Sequence, residues 1–69
     1  MIEFELQTEY IELIKLLKLL RLVESGGQAK LVVEDGLVKL NGEVEFRKRA
    51  KIRKGDKLVF DEHVIIMVK

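Results

Sequence analysis

The chain has 69 residues, 48% hydrophobic and 36% charged, and it contains no cysteine. This length allows one small domain stabilised almost wholly by its hydrophobic core, and it excludes most enzyme architectures. The longest apolar run, 64–68, is far shorter than the roughly 20 residues that cross a bilayer, and the acidic start fits no targeting segment, so we expect a cytoplasmic protein with no membrane partner.

The first half of the sequence predicts a strand followed by a helix. Over residues 2–6 apolar residues alternate with glutamates, which is typical of a strand with one buried face. Over residues 10–23 apolar pairs are separated by charged residues, and this spacing predicts one continuous helix. Its apolar stripe is broad. We expect the stripe to pack on both the sheet and a second helix; the alternative is that part of it stays free for a partner.

A capping box marks the start of a second helix. Ser25 and Gln28 have the required spacing, in which the serine oxygen accepts from the Gln28 amide and the glutamine side chain returns to the serine amide. Gly36 is placed to close this helix in the left-handed conformation after about three turns.

The next segment predicts a hairpin around Asn41 and Gly42, a favoured turn pair. A two-residue loop would mix apolar and charged side chains on both faces of the hairpin. We therefore expect a β-bulge or a loop with an odd number of residues. That departure would place four apolar residues on one face: Val38, Leu40, Val44 and Phe46.

Two further turns, at 55–56 and 61–63, introduce the strands 57–60 and 64–68. No repeat, linker or low-complexity segment interrupts the pattern. The sequence therefore predicts a single α+β domain over residues 1–69.

Residues suited to catalysis or metal binding are scarce. The one serine is expected to cap a helix, there is no cysteine, and the single histidine, His63, follows Asp61 and Glu62 in a predicted turn. The glutamates mostly alternate with apolar residues, as on a solvated face. We expect no enzyme activity, no cofactor or metal, and no small-molecule substrate.

Two features indicate a polyanion as the ligand. Gly26 and Gly27 leave backbone amides uncovered at the predicted start of the second helix, where the helix dipole favours an anion. In the segment 47–54, six of the eight residues are cationic and none is acidic, with Ile52 as the expected anchor. Ordinary surfaces mix both signs, so such a run calls for a counter-charge such as phosphate. Because there is no tryptophan, and Tyr10 and the phenylalanines are expected in the core, we expect backbone and shape recognition rather than base stacking.

Three stretches carry a family resemblance: Ser-Gly-Gly-Gln-Ala-Lys at 25–30, Val-Glu-Asp-Gly-Leu-Val-Lys-Leu-Asn-Gly at 33–42, and Lys-Ile-Arg-Lys-Gly-Asp-Lys-Leu at 51–58. In order and spacing they resemble the S4 RNA-binding domain, most closely the small stand-alone bacterial S4-like proteins. The resemblance covers about residues 13–60. It implies the S4-like fold, or αL motif: two helices packed on a small, mostly antiparallel sheet, here with an added N-terminal strand.

The resemblance also implies a set of RNA contacts at the start of the second helix, on the hairpin and along the basic segment. Glycines stand where many S4 domains carry arginines after the capping residue, and backbone amides would take over there. The expected contact residues are Ser25, Gly26, Gly27, Gln28, Lys30, Lys39, Asn41, Arg47, Lys48, Arg49, Lys51 and Arg53.

We therefore expect a non-catalytic monomer that grips structured RNA, such as ribosomal or transfer RNA, through its phosphate backbone. This requires Arg49 and Lys51 to share a face with Gly27. The alternative is a protein-interaction module that docks an acidic partner through the basic segment.

Overall fold

The computed structural model describes residues 1–68 of the chain. The two helices are consecutive in the chain, and short strands precede and follow them. In chain order the elements are β1 (Ile2–Glu5), β2 (Ile11–Glu12), α1 (Leu13–Leu19), α2 (Gly26–Glu34), β3 (Val38–Leu40), β4 (Glu43–Val44), β5 (Lys51–Ile52), β6 (Lys57–Phe60) and β7 (His63–Val68).

The main sheet has five strands in the order β1-β7-β6-β3-β4, and β2 pairs with β5 in a separate two-stranded sheet. Only the N-terminal strand β1 runs parallel to its neighbour β7, whereas every other pair within residues 1–68 is antiparallel. The predicted α+β fold, with two helices, a mostly antiparallel sheet and an N-terminal strand, is confirmed. The small β2–β5 sheet was not predicted.

The first helix is shorter than the predicted 10–23 at both ends. At its start, Ile11 and Glu12 are extended and pair with β5 instead of coiling. At its end, Arg21 takes the left-handed conformation with φ 59°. The amide of Arg21 then donates to the Lys18 carbonyl at 3.0 Å and the amide of Leu22 to the Leu17 carbonyl at 3.1 Å, the pair of bonds that defines a Schellman ending.

The second helix begins and ends as predicted. The Ser25 hydroxyl accepts from the Gln28 amide at 3.1 Å. The Gln28 side chain accepts from the amide of Glu24 at 2.6 Å, one residue before the serine that the capping box predicted. Gly36, with φ 74°, closes the helix in the left-handed conformation.

The prediction of a bulge or an odd-numbered loop in the hairpin is wrong. Lys39 pairs with Val44 and Leu40 with Glu43, so Asn41 and Gly42 form a two-residue loop. Both turn residues have positive φ, 52° and 91°, which matches the type I′ turn and the right-handed twist of the strands. Turn geometry therefore sets this register. Because β4 is a short edge strand, Val44 does not have to join the core, and 41% of it is exposed.

The core lies between the helices and the main sheet. Leu13, Leu16 and Leu17 of α1 are fully buried, which confirms that most of the broad apolar stripe is covered, although Leu19 is 59% exposed. No helix within residues 1–68 has the length and apolar character needed to cross a membrane. The other fully or almost fully buried residues are Ala29, Val33, Val38, Ile52, Leu58, Ile65 and Met67.

Candidate nucleic-acid interface

The basic segment is tied to the start of α1 by its backbone. The amide of Leu13 donates to the Ala50 carbonyl at 2.9 Å, and the amide of Ile14 donates to the Lys48 carbonyl at 3.3 Å. These bonds satisfy donors that the first turn of a helix otherwise leaves free. Ala50 and Ile52 are buried, which confirms Ile52 as the anchor of the segment. Burial of these two residues leaves the cationic side chains between and around them at the surface.

The start of α2 presents free backbone donors beside a lysine. Within residues 1–68, the amides of Gly26 and Gly27 donate to no protein acceptor, whereas the Gln28 amide is taken by the Ser25 cap. The aliphatic part of Lys18 crosses Gly26, with its Cδ 3.9 Å from where a Cβ would stand. The positive end of the helix and a cationic side chain from α1 therefore meet at one point.

A groove of about 730 Å³ opens at this point. Its walls come from α1, from α2 and from the basic segment, and Glu12 is the one carboxylate in its lining. The cations that line this groove are Lys15, Lys18, Lys30, Lys48 and Arg49, with Gly26 and Ile14 completing the wall.

A second depression of about 570 Å³ is lined by Arg47, Arg49, Ala50, Lys51 and Arg53. Arg49 lines both depressions and joins them. We call the cations of the two depressions together the cationic surface. Gly26 and Arg49 thus share one groove, and Lys51 lies in the adjoining depression. Gly27, which was expected to share a face with Arg49 and Lys51, follows Gly26 in α2 but lines neither depression.

Three cations of the surface already have carboxylate partners. Arg47 contacts Glu45 at 3.0 Å, Lys48 contacts Glu34 at 2.7 Å and Arg49 contacts Glu12 at 3.5 Å. The run 47–54 is free of acids in sequence but not in space, because these glutamates come from β2, α2 and the residue after β4. Both side chains are at least partly exposed in the Lys48–Glu34 and Arg49–Glu12 pairs, which solvent therefore screens, whereas Glu45 is only 12% exposed.

In the first two pairs, the pKa values of Glu34, Glu45 and Arg47 are shifted. The hydrogen bond and charge of Lys48 hold the pKa of the Glu34 carboxyl below its usual value. The hydrogen bond from Arg47 likewise lowers the pKa of Glu45 and raises the pKa of the arginine itself. Because their pKa values are lowered, Glu34 and Glu45 are ionised near neutral pH. Each carboxylate therefore repels a negative ligand until it is displaced from its cation.

The expected core position of the aromatic residues is wrong for Tyr10 and Phe46. Tyr10 is 36% exposed, and its ring centroid lies 4.9 Å from the Lys51 ammonium and 5.6 Å from the Arg53 guanidinium carbon. These distances allow cation–π attraction, which orients both cations. Phe46 is 61% exposed beside Arg47.

The two hairpin residues of the expected contact set lie outside the cationic surface. Lys39 lines a separate depression with Gly36, Val59 and Asp61. Asn41 sits in the hairpin turn, where its side chain donates to the Asp56 carboxylate at 3.0 Å and accepts from the Lys57 amide at 2.9 Å. Asn41 therefore has a structural function, holding the β3–β4 turn against the start of β6.

Sequence reasoning missed Lys15 and Lys18, which line the groove from α1. Their spacing of three residues indicates one helix face, but it gives no sign of which element that face meets. Contact between α1 and α2, with Lys18 beside Gly26, makes these lysines part of the site.

The part of the chain that the structure describes has no candidate metal centre. Residues 1–68 contain no group of three histidine, aspartate or glutamate side chains placed to hold a metal ion. His63 is exposed at the start of β7.

Two consecutive helices on a mixed sheet form the S4-like fold, or αL motif. Here cations gather beside the start of the second helix. A family model described as the S4 domain matches residues 4–68, so the chain belongs to the S4 domain family.

Individual relatives agree with this assignment. The chain is 46% identical over 59 residues to the putative RNA-binding protein YbcJ of Escherichia coli strain K12, covering 86% of this chain and 84% of YbcJ. An uncharacterised YbcJ protein of Shigella flexneri matches with the same identity and coverage. The solution structure of E. coli YbcJ, described as revealing an αL motif involved in RNA binding, matches with a TM-score of 0.75 and 43% identity, covering 100% of this chain and 89% of that one.

Proposed function

We propose that this protein is a non-catalytic RNA-binding module that grips structured RNA through its phosphate backbone. The observation that carries the proposal is the groove in which lysines of both helices, Arg49 and Gly26 at the free start of α2 come together. Cations on three separate chain segments gather around one concave surface, which suits a chain of phosphates. Relatives named or described as RNA-binding support the same function.

Within this proposal the contact residues have different functions. Lys15, Lys18, Lys30, Lys48 and Arg49 contact phosphates in the groove, while the amides of Gly26 and Gly27 bind one phosphate at the helix start. Ser25 and Gln28 act by capping that helix. Arg47, Lys51 and Arg53 extend the contact along the second depression. Lys39 and Asn41 would act only on an RNA that reaches beyond the cationic surface.

The finer parts of the proposal concern the ligand and its setting. Ribosomal and transfer RNA are the proposed targets, because a shape-reading surface needs a folded RNA with closely spaced phosphates. We further propose that the protein acts as a monomer in the cytoplasm.

The test is a salt titration with an RNA hairpin. Each phosphate neutralised by a lysine or arginine releases counterions, so the logarithm of the affinity should fall linearly with the logarithm of the salt concentration. The double variant Lys30→Gln/Lys48→Gln should bind more weakly and show a shallower slope.

The matched control is Lys54→Gln/Lys57→Gln, which removes the same charge from residues that line neither depression. It should stay close to the original protein in both affinity and slope. Equal losses in the two double variants, or an affinity that ignores salt, would contradict the proposal.

A further inference from the structure

Phe46 is the most exposed aromatic residue within residues 1–68. It is 61% exposed. Phe4 and Phe60 are half-buried against the core, and Lys51 and Arg53 lie over the ring of Tyr10. Within residues 1–68, Phe46 therefore offers the largest uncovered aromatic surface.

The Phe46 side chain packs against Gly36. A Cβ on Gly36 would stand 3.2 Å from Cε1 of Phe46, closer than side chains ordinarily pack, and 3.5 Å from Cγ1 of Val44, an ordinary contact. The phenylalanine thus rests against the end of α2, at a place left open by a residue without a side chain. This contact restricts the ring without burying it.

The backbone on either side of Phe46 is also clamped. The Glu45 carboxylate accepts from the Arg47 backbone amide at 3.0 Å, and it accepts two further bonds from the Arg47 guanidinium at 3.0 and 3.1 Å. The side chain of Glu45 is 12% exposed, so the clamp is anchored in the fold. A ring held in this way loses little conformational entropy when a flat ligand covers it.

Charge identifies the kind of flat ligand. Arg47 and Lys48 follow Phe46 directly and both belong to the cationic surface. An apolar ring followed in the chain by two cations is complementary to a nucleotide, which joins a planar base to an anionic phosphate. Every base can stack on such a ring, whatever its sequence.

We propose that Phe46 is a stacking platform for an unpaired base of the RNA. The inference rests on the proposed function and deepens it: the ligand is a folded RNA with a looped-out or terminal nucleotide beside the helix whose phosphates occupy the groove. It replaces the expectation of backbone recognition alone, which assumed that the phenylalanines are in the core.

The experiment compares two RNA probes with equal numbers of phosphates, a hairpin with a single-stranded loop and a blunt duplex. Phe46→Leu keeps an apolar side chain but removes the aromatic face. It should weaken hairpin binding about tenfold, as loss of one stacked base does, and leave duplex binding unchanged. Phe46→Tyr retains the ring and should bind the hairpin like the original protein.

A direct readout comes from Phe46→Trp, because the chain has no tryptophan of its own. Its indole emission should be quenched by the hairpin and not by the duplex. The stacking proposal would be contradicted if Phe46→Leu had unchanged affinity for the hairpin, or if it lost affinity equally for both probes. The exposed ring would then serve another contact, such as one with a protein partner. If the original protein binds neither RNA at low salt, the proposed function itself fails.

Discussion

The ammonium of Lys48 lies 2.7 Å from the carboxylate of Glu34, which ties the basic segment to the last turn of α2. Lys48 is also part of the groove wall. The carboxylate therefore occupies a position on this cation that a phosphate oxygen would take in a complex. Under the proposed function, RNA and Glu34 compete for the same lysine.

This competition predicts that Glu34→Gln raises RNA affinity. The neutral amide no longer holds Lys48 as an ion pair, and one negative charge is lost next to the groove. We expect a roughly two- to fivefold gain in affinity for an RNA hairpin, in line with the modest strength of exposed pairs. Fluorescence anisotropy measures it. Glu62→Gln is the control, because Glu62 lies in the turn before β7 and lines neither depression; the same gain in both variants would show a general effect of net charge.

The same pair predicts a pH dependence of stability. Glu34 has a lowered pKa in the folded protein because Lys48 donates a hydrogen bond to it, with its charge adding to the effect. A carboxyl whose pKa is lower when folded contributes stability above its ordinary value of 4.5, and this contribution is lost as pH falls through the folded pKa. The original protein should therefore melt above Glu34→Gln at neutral pH, and the two melting temperatures should converge in acid. A difference that persists or grows in acid would contradict this assignment.

The cations over Tyr10 predict a contribution to folding. Tyr10→Leu removes the ring that attracts Lys51 and Arg53, and we expect it to lower the free energy of unfolding by about 0.5–1 kcal/mol, as for exposed cation–π contacts. Tyr10→Phe keeps a ring and should cost less. Urea denaturation measures both. In a Lys51→Gln/Arg53→Gln background the Tyr10→Leu cost should shrink, and an unchanged cost there would mean that the ring acts through apolar packing alone.

Local signals in the sequence predicted the parts of the fold that local interactions determine. Ser25, Gln28 and Gly36 bound the second helix because each acts within a few residues of its own position. The sequence did not predict the end of α1, because that end depends on a left-handed conformation of Arg21. Arginine rarely adopts this conformation, so its presence does not indicate a helix end.

Long-range pairing explains the other errors. Ile11 and Glu12 are helical by pattern, yet they pair with residues about forty positions later, and backbone bonds to the basic segment follow from that pairing. For the same reason the sequence showed six cations without an acid, whereas folding brings Glu12 and Glu34 to Arg49 and Lys48. The cationic character of the site was predictable, but its counter-charges and its share of α1 were not.

The start of α2 gives the last prediction, in which charge is separated from size at Gly27. A Cβ there would stand 3.7 Å from the Ser25 hydroxyl, an ordinary contact, so Gly27→Ala and Gly27→Glu should both fold. The glutamate is favourable at the positive end of a helix and should leave the protein at least as stable as the alanine does. It nevertheless places a negative charge where a phosphate is proposed to bind. RNA affinity should therefore fall more in Gly27→Glu than in Gly27→Ala, while Gly27→Lys should bind at least as well as Gly27→Ala. Thermal melts verify the folding of each variant, and equal affinities for the glutamate and alanine variants would remove the helix start from the binding surface.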